Sequence, residues 1–387
     1  MATPPTRGLL DKYLFPEGSP PLGNHGTVAS NPQTLPKVQA TLPQKVGPEI
    51  EISKPRTSRP SSLIPGLGLR GHTDEDVWLI IDAYCHSRAS FGRLPRRGPN
   101  TRIASKKTAY TWVTLAAANC RSQLDISKDL RPSWGRTLEI DGTPVKVRGE
   151  MRCLLIAQDS KTLDVLHAKV LQNERDTGPI LDFLREIRDA LAYYPSLIVI
   201  DDNSSMLKAI GQVFPLVPVQ LCLWHKERAI DRILPDRKIV KLQSELKARI
   251  HRFLYANTLE QARQRYQLII NNTGKWQDLD SQRAIKSFRE DFVRLTTHLR
   301  VKEKLGLCGD KIGRTISRNE GVFSLLGMKL DLIRGFKKES NMTRLINLLI
   351  THYRATPMEG ARSDKRSPLE RAGCKIDDWV RFSQRVQ

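Results

Sequence analysis

Apolar and polar residues alternate along three short runs between residues 137 and 172, the period of strands that are buried on one face. Turn-forming residues, Gly149-Glu150 and Asp159-Ser-Lys161, separate the runs. The pattern therefore predicts an antiparallel three-stranded meander. The predicted strands cover residues 137–148, 152–158 and 164–171.

The pattern then becomes helical. Apolar residues at positions 180, 183, 184, 187 and 191, after Thr177-Gly-Pro179, predict an amphipathic helix. Leu197–Ile200 is an unbroken aliphatic run, as expected for a strand covered on both faces of a sheet. It ends at Asp201-Asp202. In α/β sheets the functional residues usually lie at the carboxyl ends of the strands.

Another helix and another strand complete this region. Asn203 and Ser204 are capping residues for a helix. Its inner face would carry Leu207, Ile210 and Phe214. The next apolar run, residues 216–223, predicts a strand that terminates in Cys222-Leu-Trp-His225.

Three antiparallel strands, a helix, a strand, a helix and a strand follow one another in the order of a ribonuclease H-like (RNase H-like) domain. We therefore expect an α/β fold with a mixed-sheet catalytic core, in which the Asp141 strand neighbours the Asp202 strand. Residues 231–311 carry helical periodicity only, and they predict an all-α insertion. The insertion would separate the two parts of the core, residues 131–230 and 312–355.

The two ends of the chain differ from the core in composition. Residues 1–70 hold 12 of the 23 prolines. Such a segment cannot bury enough apolar surface to offset its ordering entropy, so we expect a flexible leader. Residues 356–387 are polar and basic and predict a C-terminal surface tail.

Residues 71–130 predict a small helical module. Thr73 and the acids after it favour a helix N-terminus. A second helix over 104–121 has a basic, polar start and an apolar body, as a helix-turn-helix recognition helix requires. The alternative is an ordinary helical domain with a solvated basic face. If the module binds DNA, loop arginines would contact phosphates and the second helix would face the groove. The candidate DNA-binding residues are Arg96, Arg97, Arg102, Lys106, Lys107, Thr108 and Tyr110.

The formal net charge of the chain is +22. An excess of this size indicates a polyanionic partner, with nucleic acid the first candidate, although a basic protein without one is the alternative. No segment approaches the roughly 18 apolar residues of a spanning helix, and the N-terminus has no apolar signal region. We expect no membrane partner. The expected location is cytoplasmic and nucleoid-associated, or nuclear in a eukaryotic host.

The six cysteines lie far apart without a CxxC pair, which favours reduced thiols over a disulfide framework. Cys222 and His225 have no second Cys/His pair at a spacing that suits zinc. We therefore interpret Cys222 as a core thiol. His225 would lie at the edge of an acidic site and position DNA or a phosphate.

Three carboxylates occupy positions that a sheet would bring together: Asp141 in a strand, Asp202 at a strand end and Glu320 near a helix start. Mg²⁺ prefers carboxylate oxygens and keeps several waters, so two or three converging acids suffice when a phosphate completes the shell. Two such ions can support phosphoryl transfer. The three acids therefore predict a magnesium site, at which Mn²⁺ would substitute.

Each acid also has a structural alternative. Asp141-Gly142 could form a turn, and Asp201-Asp202 could cap a helix. Ser317-Arg-Asn-Glu320 matches a capping box.

Several stretches resemble one family. Asp202-Asn-Ser-Ser-Met-Leu-Lys-Ala-Ile, Phe214-Pro215 and Gln220-Leu-Cys-Leu-Trp-His225 are similar to Mutator-type DDE transposases and related bacterial insertion-sequence transposases. Residues 140–148 resemble the strand that carries the first aspartate of that family, and Arg318-Asn-Glu320 resembles its third-acid region. The resemblance extends over residues 131–355.

The resemblance implies a DNA transposase with Asp141, Asp202 and Glu320 as its metal-binding triad. Such an enzyme would bind element ends, cleave DNA and join the 3′-hydroxyl to target DNA, with Mg²⁺ as cofactor and a homo-oligomer in the synaptic complex. Asp201 leaves the register open, although the five-residue spacing to Leu207 favours Asp202. Two alternatives remain: a catalytically silent DNA-binding protein derived from a transposase, and an RNase H-like nuclease that cuts without joining.

Overall fold

The computed structural model describes residues 74–88, 90–91, 94, 105–236, 240–304, 320–333, 335–358 and 364–375. For residues 74–76 and 320 it describes only the backbone. All of them belong to Ser58–Gln387, one of the two units into which the chain divides. The predicted leader, Thr73 and the predicted phosphate contacts Arg96, Arg97 and Arg102 lie outside the described residues.

Among the described residues, three strands follow one another directly and two more strands alternate with helices. All the other secondary-structure elements of the described residues are helices. The strands are β1 (Thr137–Val147), β2 (Glu150–Asp159), β3 (Val165–Leu171), β4 (Leu197–Ile200) and β5 (Val219–Leu221). The helices are α1 (Asp74–His86), α2 (Lys106–Asn119), α3 (Gln123–Leu130), α4 (Thr177–Arg185), α5 (Ser204–Val213), α6 (Leu223–Ile233), α7 (Lys241–Leu254), α8 (Leu259–Ile270), α9 (Leu279–Glu290), α10 (Phe292–Leu295), α11 (Thr297–Lys304), α12 (Glu320–Leu330), α13 (Glu339–Ala355) and α14 (Pro368–Arg371).

The described strands form one mixed sheet of five strands in the order β3-β2-β1-β4-β5. β1, β2 and β3 pair antiparallel, as the alternation predicts. Arg148 and Gly149 make the first turn with φ of 51° and 87°, the left-handed pair that a tight hairpin turn requires. β4 pairs parallel to β1 on one side and to β5 on the other. The predicted contact between the Asp141 strand and the strand that ends before Asp201 is confirmed.

The fifth strand is shorter than predicted. Only Val219–Leu221 is extended and paired, because Pro215 and Pro218 cannot donate ladder hydrogen bonds. At the other end, the carbonyl of Cys222 accepts a hydrogen bond from the Lys226 N–H and so begins α6. The predicted strand end at His225 is therefore wrong, and His225 lies in the first turn of a helix.

The inner face of α5 also differs from the prediction. Its buried residues include Met206, Ala209 and Val213 as well as the predicted Ile210, whereas Leu207 is only half-buried. The helix begins after Asn203, whose side chain accepts hydrogen bonds from the N–H groups of the first turn. Phe214, the third predicted residue of the inner face, follows the helix as its C-cap residue and is buried.

Helices that precede the sheet in the chain and helices near the C-terminal end share a core with the sheet. Buried side chains of α1, α2, α12 and α13 form one cluster with residues of β1 and β2, among them Trp112 and Leu154. The apolar body predicted for the second helix is thus buried: Trp112, Val113 and Ala116 are each 3% exposed or less. The assignment of residues 71–130 to a separate DNA-binding module stays a prediction.

The described segment after the sheet contains helices and connecting turns, from α7 to α11, and no strand among its described residues. Phe253, Tyr266, Phe288 and Phe292 pack their rings against one another in its core. None of the helices in the described ranges has both the length and the apolar character that crossing a membrane demands.

Candidate active site

An acidic cavity lies beside β1 and the carboxyl end of β4. Its volume is about 440 Å³, and its lining includes four carboxylates and one imidazole. These are Asp141, Glu174, Asp201, Asp202 and His225. Two of the three predicted metal ligands, Asp141 and Asp202, therefore lie at one cavity. Asp201, the alternative to Asp202, and Glu174 line the same cavity.

Asp141 lies within β1, which continues to Val147, so the alternative reading of Asp141-Gly142 as a turn is wrong. The Gly142 N–H donates a hydrogen bond of 2.8 Å to Oδ1 of Asp141. A Cβ atom at position 142 would stand 2.8 Å from Sγ of Cys153. A side chain at position 142 would therefore require the Cys153 thiol to move.

The pairing of β1 with β4 decides which acid faces Asp141. Glu139 is the partner of Val199 in the parallel register. Continuing that register by two residues sets Asp141 opposite Asp201, not Asp202. β4 ends at Ile200, so this is an extension of the register beyond the paired residues, and it favours Asp201 as the neighbour of Asp141.

The electrostatics of Asp141 agree with that pairing. Burial first, and then the nearby carboxylates Asp201 and Glu174, raise the pKa of Asp141 to about 7, against the lowering effect of the Gly142 hydrogen bond. Crowded carboxylates disfavour one another's ionised forms, and a bound cation would relieve that repulsion.

Asp202 has a different electrostatic environment. Its pKa is raised by desolvation first and then by Asp291, with Lys226 acting in the opposite direction. Lys226 and Asp291 form a buried ion pair of 2.6 Å that ties α6 to the helical segment. Asp202 thus interacts with the helical segment as well as with Asp201. Neither aspartate caps α5, since Asn203 holds that position.

Glu174 is an acid that sequence reasoning missed. It lies in the loop between β3 and α4, and its carboxylate is among the groups that raise the pKa of Asp141. Two hydrogen bonds hold the loop against the start of α5: Asn203 Nδ2 to the Glu174 carbonyl at 3.1 Å, and Ser205 Oγ to the Arg175 carbonyl at 2.7 Å. An acid in a polar loop carries no periodic signal, so only the folded chain indicates its place.

His225 approaches the same group of acids from α6. Its Nδ1 lies 3.8 Å from Oδ1 of Asp201. The Trp224 ring packs edge-on against it with centroids 4.9 Å apart, and the Arg228 guanidinium lies 4.7 Å from the Trp224 centroid. The predicted place of His225 at the edge of the acidic site therefore agrees with the geometry.

Comparison with known proteins bears on this same region. The family model of Transposase, Mutator family, matches residues 135–305, which contain the whole cavity. Residues 135–305 belong to the Mutator family of transposases. No curated protein matches the chain.

Two solved structures are similar to this chain at low identity. One is the Drosophila P element transposase strand transfer complex, with 12% sequence identity and a TM-score of 0.31. The similarity covers 76% of this chain and 82% of that chain. The other is the simian T-cell lymphotropic virus intasome in complex with PP2A regulatory subunit B56 gamma, with 14% sequence identity and a TM-score of 0.18. The similarity covers 45% of this chain and 70% of that chain. Similarity at these TM-scores is too weak to support an argument.

The remaining predicted site residues lie outside the cavity or outside the residues that the structure describes. Glu320 is the first residue of α12, but its side chain and Ser317 are not among the described groups. Lys106, Lys107 and Tyr110 are exposed at the start of α2, as a nucleic-acid contact requires. Thr108 is half-buried, and its hydroxyl lies 2.8 Å from that of the N-cap residue Ser105.

We expect Asp141→Asn to stabilise the metal-free protein at pH 8 by about 2–4 kcal/mol, and to change its stability little at pH 4. The folded state keeps the Asp141 proton up to about pH 7, whereas the ordinary value is 3.8. The stability that the neutral acid contributes is therefore complete below about pH 4 and is lost as the pH rises through about 7. Urea unfolding in EDTA at both pH values measures the difference.

Asp182→Asn is the matched control for that experiment, because this aspartate lies on α4 with its side chain 64% exposed. It should change the free energy of unfolding by the same small amount at pH 4 and pH 8. Equal effects of Asp141→Asn at the two pH values would contradict the raised pKa.

Proposed function

We propose that the protein is a DNA transposase that binds element ends, cleaves the DNA there and joins the freed 3′-hydroxyl to target DNA. The observation that carries the proposal is the gathering of Asp141, Asp201 and Asp202 around one cavity, inside the segment that the Mutator-family model matches. The sheet order, with three antiparallel strands and then two parallel ones, supports an RNase H-like core. The helical segment α7–α11 then corresponds to an insertion in that core.

The donor set fits Mg²⁺. The four carboxylates lining the cavity offer the oxygen ligands that this ion prefers, and Mn²⁺ accepts the same set. Asp141 and Asp201 would hold the metal, with Asp202 as the alternative to Asp201 and Glu320 as the third ligand. When bound, the metal would neutralise charge on the scissile phosphate and lower the pKa of the attacking oxygen.

The other residues of the cavity would position these ligands and the DNA. His225, 3.8 Å from Asp201, would orient that carboxylate or contact a phosphate. Glu174 would make the electrostatic potential at Asp141 more negative and so attract a cation there. The Asn203 and Ser205 hydrogen bonds would keep the Glu174 loop in place, so the acids would be held ready before the metal binds.

DNA is the proposed partner. The net charge of +22 supports binding to a polyanion, and the exposed Lys106, Lys107 and Tyr110 offer contacts at the start of α2. A synaptic complex that holds two element ends would require a homo-oligomer. Such a protein would act at the nucleoid, or in the nucleus of a eukaryotic host.

The test is a cutting and joining assay with the full chain. A linear DNA carrying the inverted repeats that flank the gene is incubated with a supercoiled target plasmid in Mg²⁺, in Mn²⁺ or in EDTA. We expect cleavage at the repeat ends and joined products with either metal, and neither product in EDTA. Cutting without joining would indicate a nuclease instead, and binding without cutting would indicate a catalytically silent DNA-binding protein.

A further inference from the structure

A second group of potential metal ligands lies between α1 and α13. Asp82 and His86 are four residues apart and so share one face of α1, and His352 lies in the last turn of α13. One ligand atom from each of the three lies within 4.8 Å of the other two. We propose that Asp82, His86 and His352 bind a zinc-class divalent transition metal ion.

The distances fit such an ion after small side-chain movements. Nε2 of His352 lies 2.8 Å from Oδ1 of Asp82, and the two histidine rings stand edge to face with centroids 5.6 Å apart. Two ligand atoms of a tetrahedral Zn²⁺ are about 3.3 Å apart, given bonds of about 2.0–2.1 Å. Asp82 and His352 therefore need only to separate slightly. His86 is exposed at the helix end, so its ring can turn toward the ion without a change in the backbone.

The environment of His352 resembles that of a metal-bound imidazole. The side chain is only 2% exposed. Its Nδ1 lies 3.4 Å from the Thr356 hydroxyl oxygen, and that hydroxyl donates its own hydrogen to the His352 carbonyl at 2.7 Å. The hydroxyl oxygen is thus left to accept from Nδ1–H, an arrangement that directs Nε2 to the metal. A metal-bound imidazole carries no proton on its ligating nitrogen, so Nε2 would exchange its contact with Asp82 for a bond to the ion.

The donor set selects the class of metal. Two imidazoles and one carboxylate suit Zn²⁺ and its neighbours, whereas Mg²⁺ prefers oxygen ligands alone. This site therefore differs in chemistry from the acidic cavity. A bound ion would join the last turn of α1 to the last turn of α13, and so fix the helix that leads into the predicted DNA-contacting loop.

The test is zinc binding by the full chain, purified in chelator and then desalted. Isothermal titration with ZnCl₂ should give one site that His86→Ala weakens at least about 100-fold, because a direct ligand should matter more than an outer partner, worth about 10–100-fold. Co²⁺ in place of zinc should give visible absorption bands that weaken in the same variant. Zn²⁺ should raise the melting temperature of the wild type more than that of His86→Ala, whereas Mg²⁺ should have the same effect on both proteins.

Two further variants keep the result clear. His251→Ala removes another exposed histidine, 3.3 Å from Glu227 on α6, and should leave zinc affinity unchanged. Asp201→Asn separates this site from any zinc bound in the acidic cavity, and it should also leave the tight site intact. Absence of zinc binding by the wild type would overturn the proposal. Equal affinity of the wild type, His86→Ala and Asp82→Asn would overturn it as well, and would leave Asp82 and His352 as an ordinary buried hydrogen-bonded pair.

Discussion

We expect Asp201→Asn to lower Mg²⁺-dependent DNA cleavage at least about 10³-fold, since metal ions contribute several kcal/mol of charge stabilisation to phosphoryl transfer. Asp202→Asn should lower it about tenfold or less. The substitution keeps the shape of each side chain and removes only its charge. The two variants therefore compare neighbouring carboxylates in the same cavity.

The physical reason for the difference is the register of β4 against β1. The register of Glu139 with Val199, extended past the end of β4, favours Asp201 as the neighbour of Asp141, and His225 approaches Asp201 at 3.8 Å. Asp201 is also among the carboxylates that raise the pKa of Asp141. Asp202 is instead influenced by Asp291 and Lys226 of the neighbouring helices.

The measurement is the single-turnover rate of cleavage at the element end, with DNA binding followed separately to show that each variant still binds. Asp141→Asn in the same assay should be as inactive as Asp201→Asn. Normal cleavage by Asp201→Asn together with loss in Asp202→Asn would reverse the assignment and restore Asp202 as the ligand. Loss in both would mean that both aspartates hold metal.

The same assay distinguishes the candidates for a third ligand. Glu320→Gln should abolish cleavage if the family resemblance holds at that position. Glu174→Gln should reduce metal affinity more than the cleavage rate at saturating Mg²⁺, because Glu174 is proposed to act through the potential at Asp141. The opposite pattern would make Glu174 the third ligand.

The second large effect concerns stability. Arg354 and Asp164 form an ion pair in which both side chains are 0% exposed, with Nε to Oδ1 at 2.7 Å. Arg354 also donates to Ser127 Oγ at 3.1 Å and to Gln123 Oε1 at 3.1 Å. We expect Arg354→Leu to lower the free energy of unfolding by about 3–5 kcal/mol, because it leaves a buried carboxylate without its cation.

Urea unfolding of the full chain measures that loss. The matched control is Arg185→Leu, which removes an exposed arginine 3.4 Å from Asp182 on α4 and should cost about 0.5 kcal/mol or less. The double variant Arg354→Leu with Asp164→Leu should recover part of the loss, since it removes the unpaired charge. A cost for Arg354→Leu as small as that of the control would show that the buried pair adds nothing to stability.

Much of the sheet could be predicted because its signals are local. Alternation of apolar and polar residues located β1, β2 and β3, and the aliphatic run Leu197–Ile200 is β4 to the residue. Asn203 before α5 has the side-chain oxygen that a helix N-terminus needs. The error at β5 has a local cause too, because two prolines shorten the strand and Cys222 starts a helix within the apolar run.

The sequence by itself therefore determined the order of elements and the mixed character of the sheet, and it predicted Asp141 and Asp202 as metal ligands with Asp201 as the alternative to Asp202. Choosing Asp201 over Asp202 needed the β1–β4 register, which depends on how two distant strands align. The place of Glu174 needed the loop to fold against α5. The pairing of Arg354 with Asp164, 190 residues apart, and the approach of Asp82 and His86 to His352 needed the packing of α13. Periodicity reports only contacts within one element, and these contacts join elements that the chain order leaves far apart.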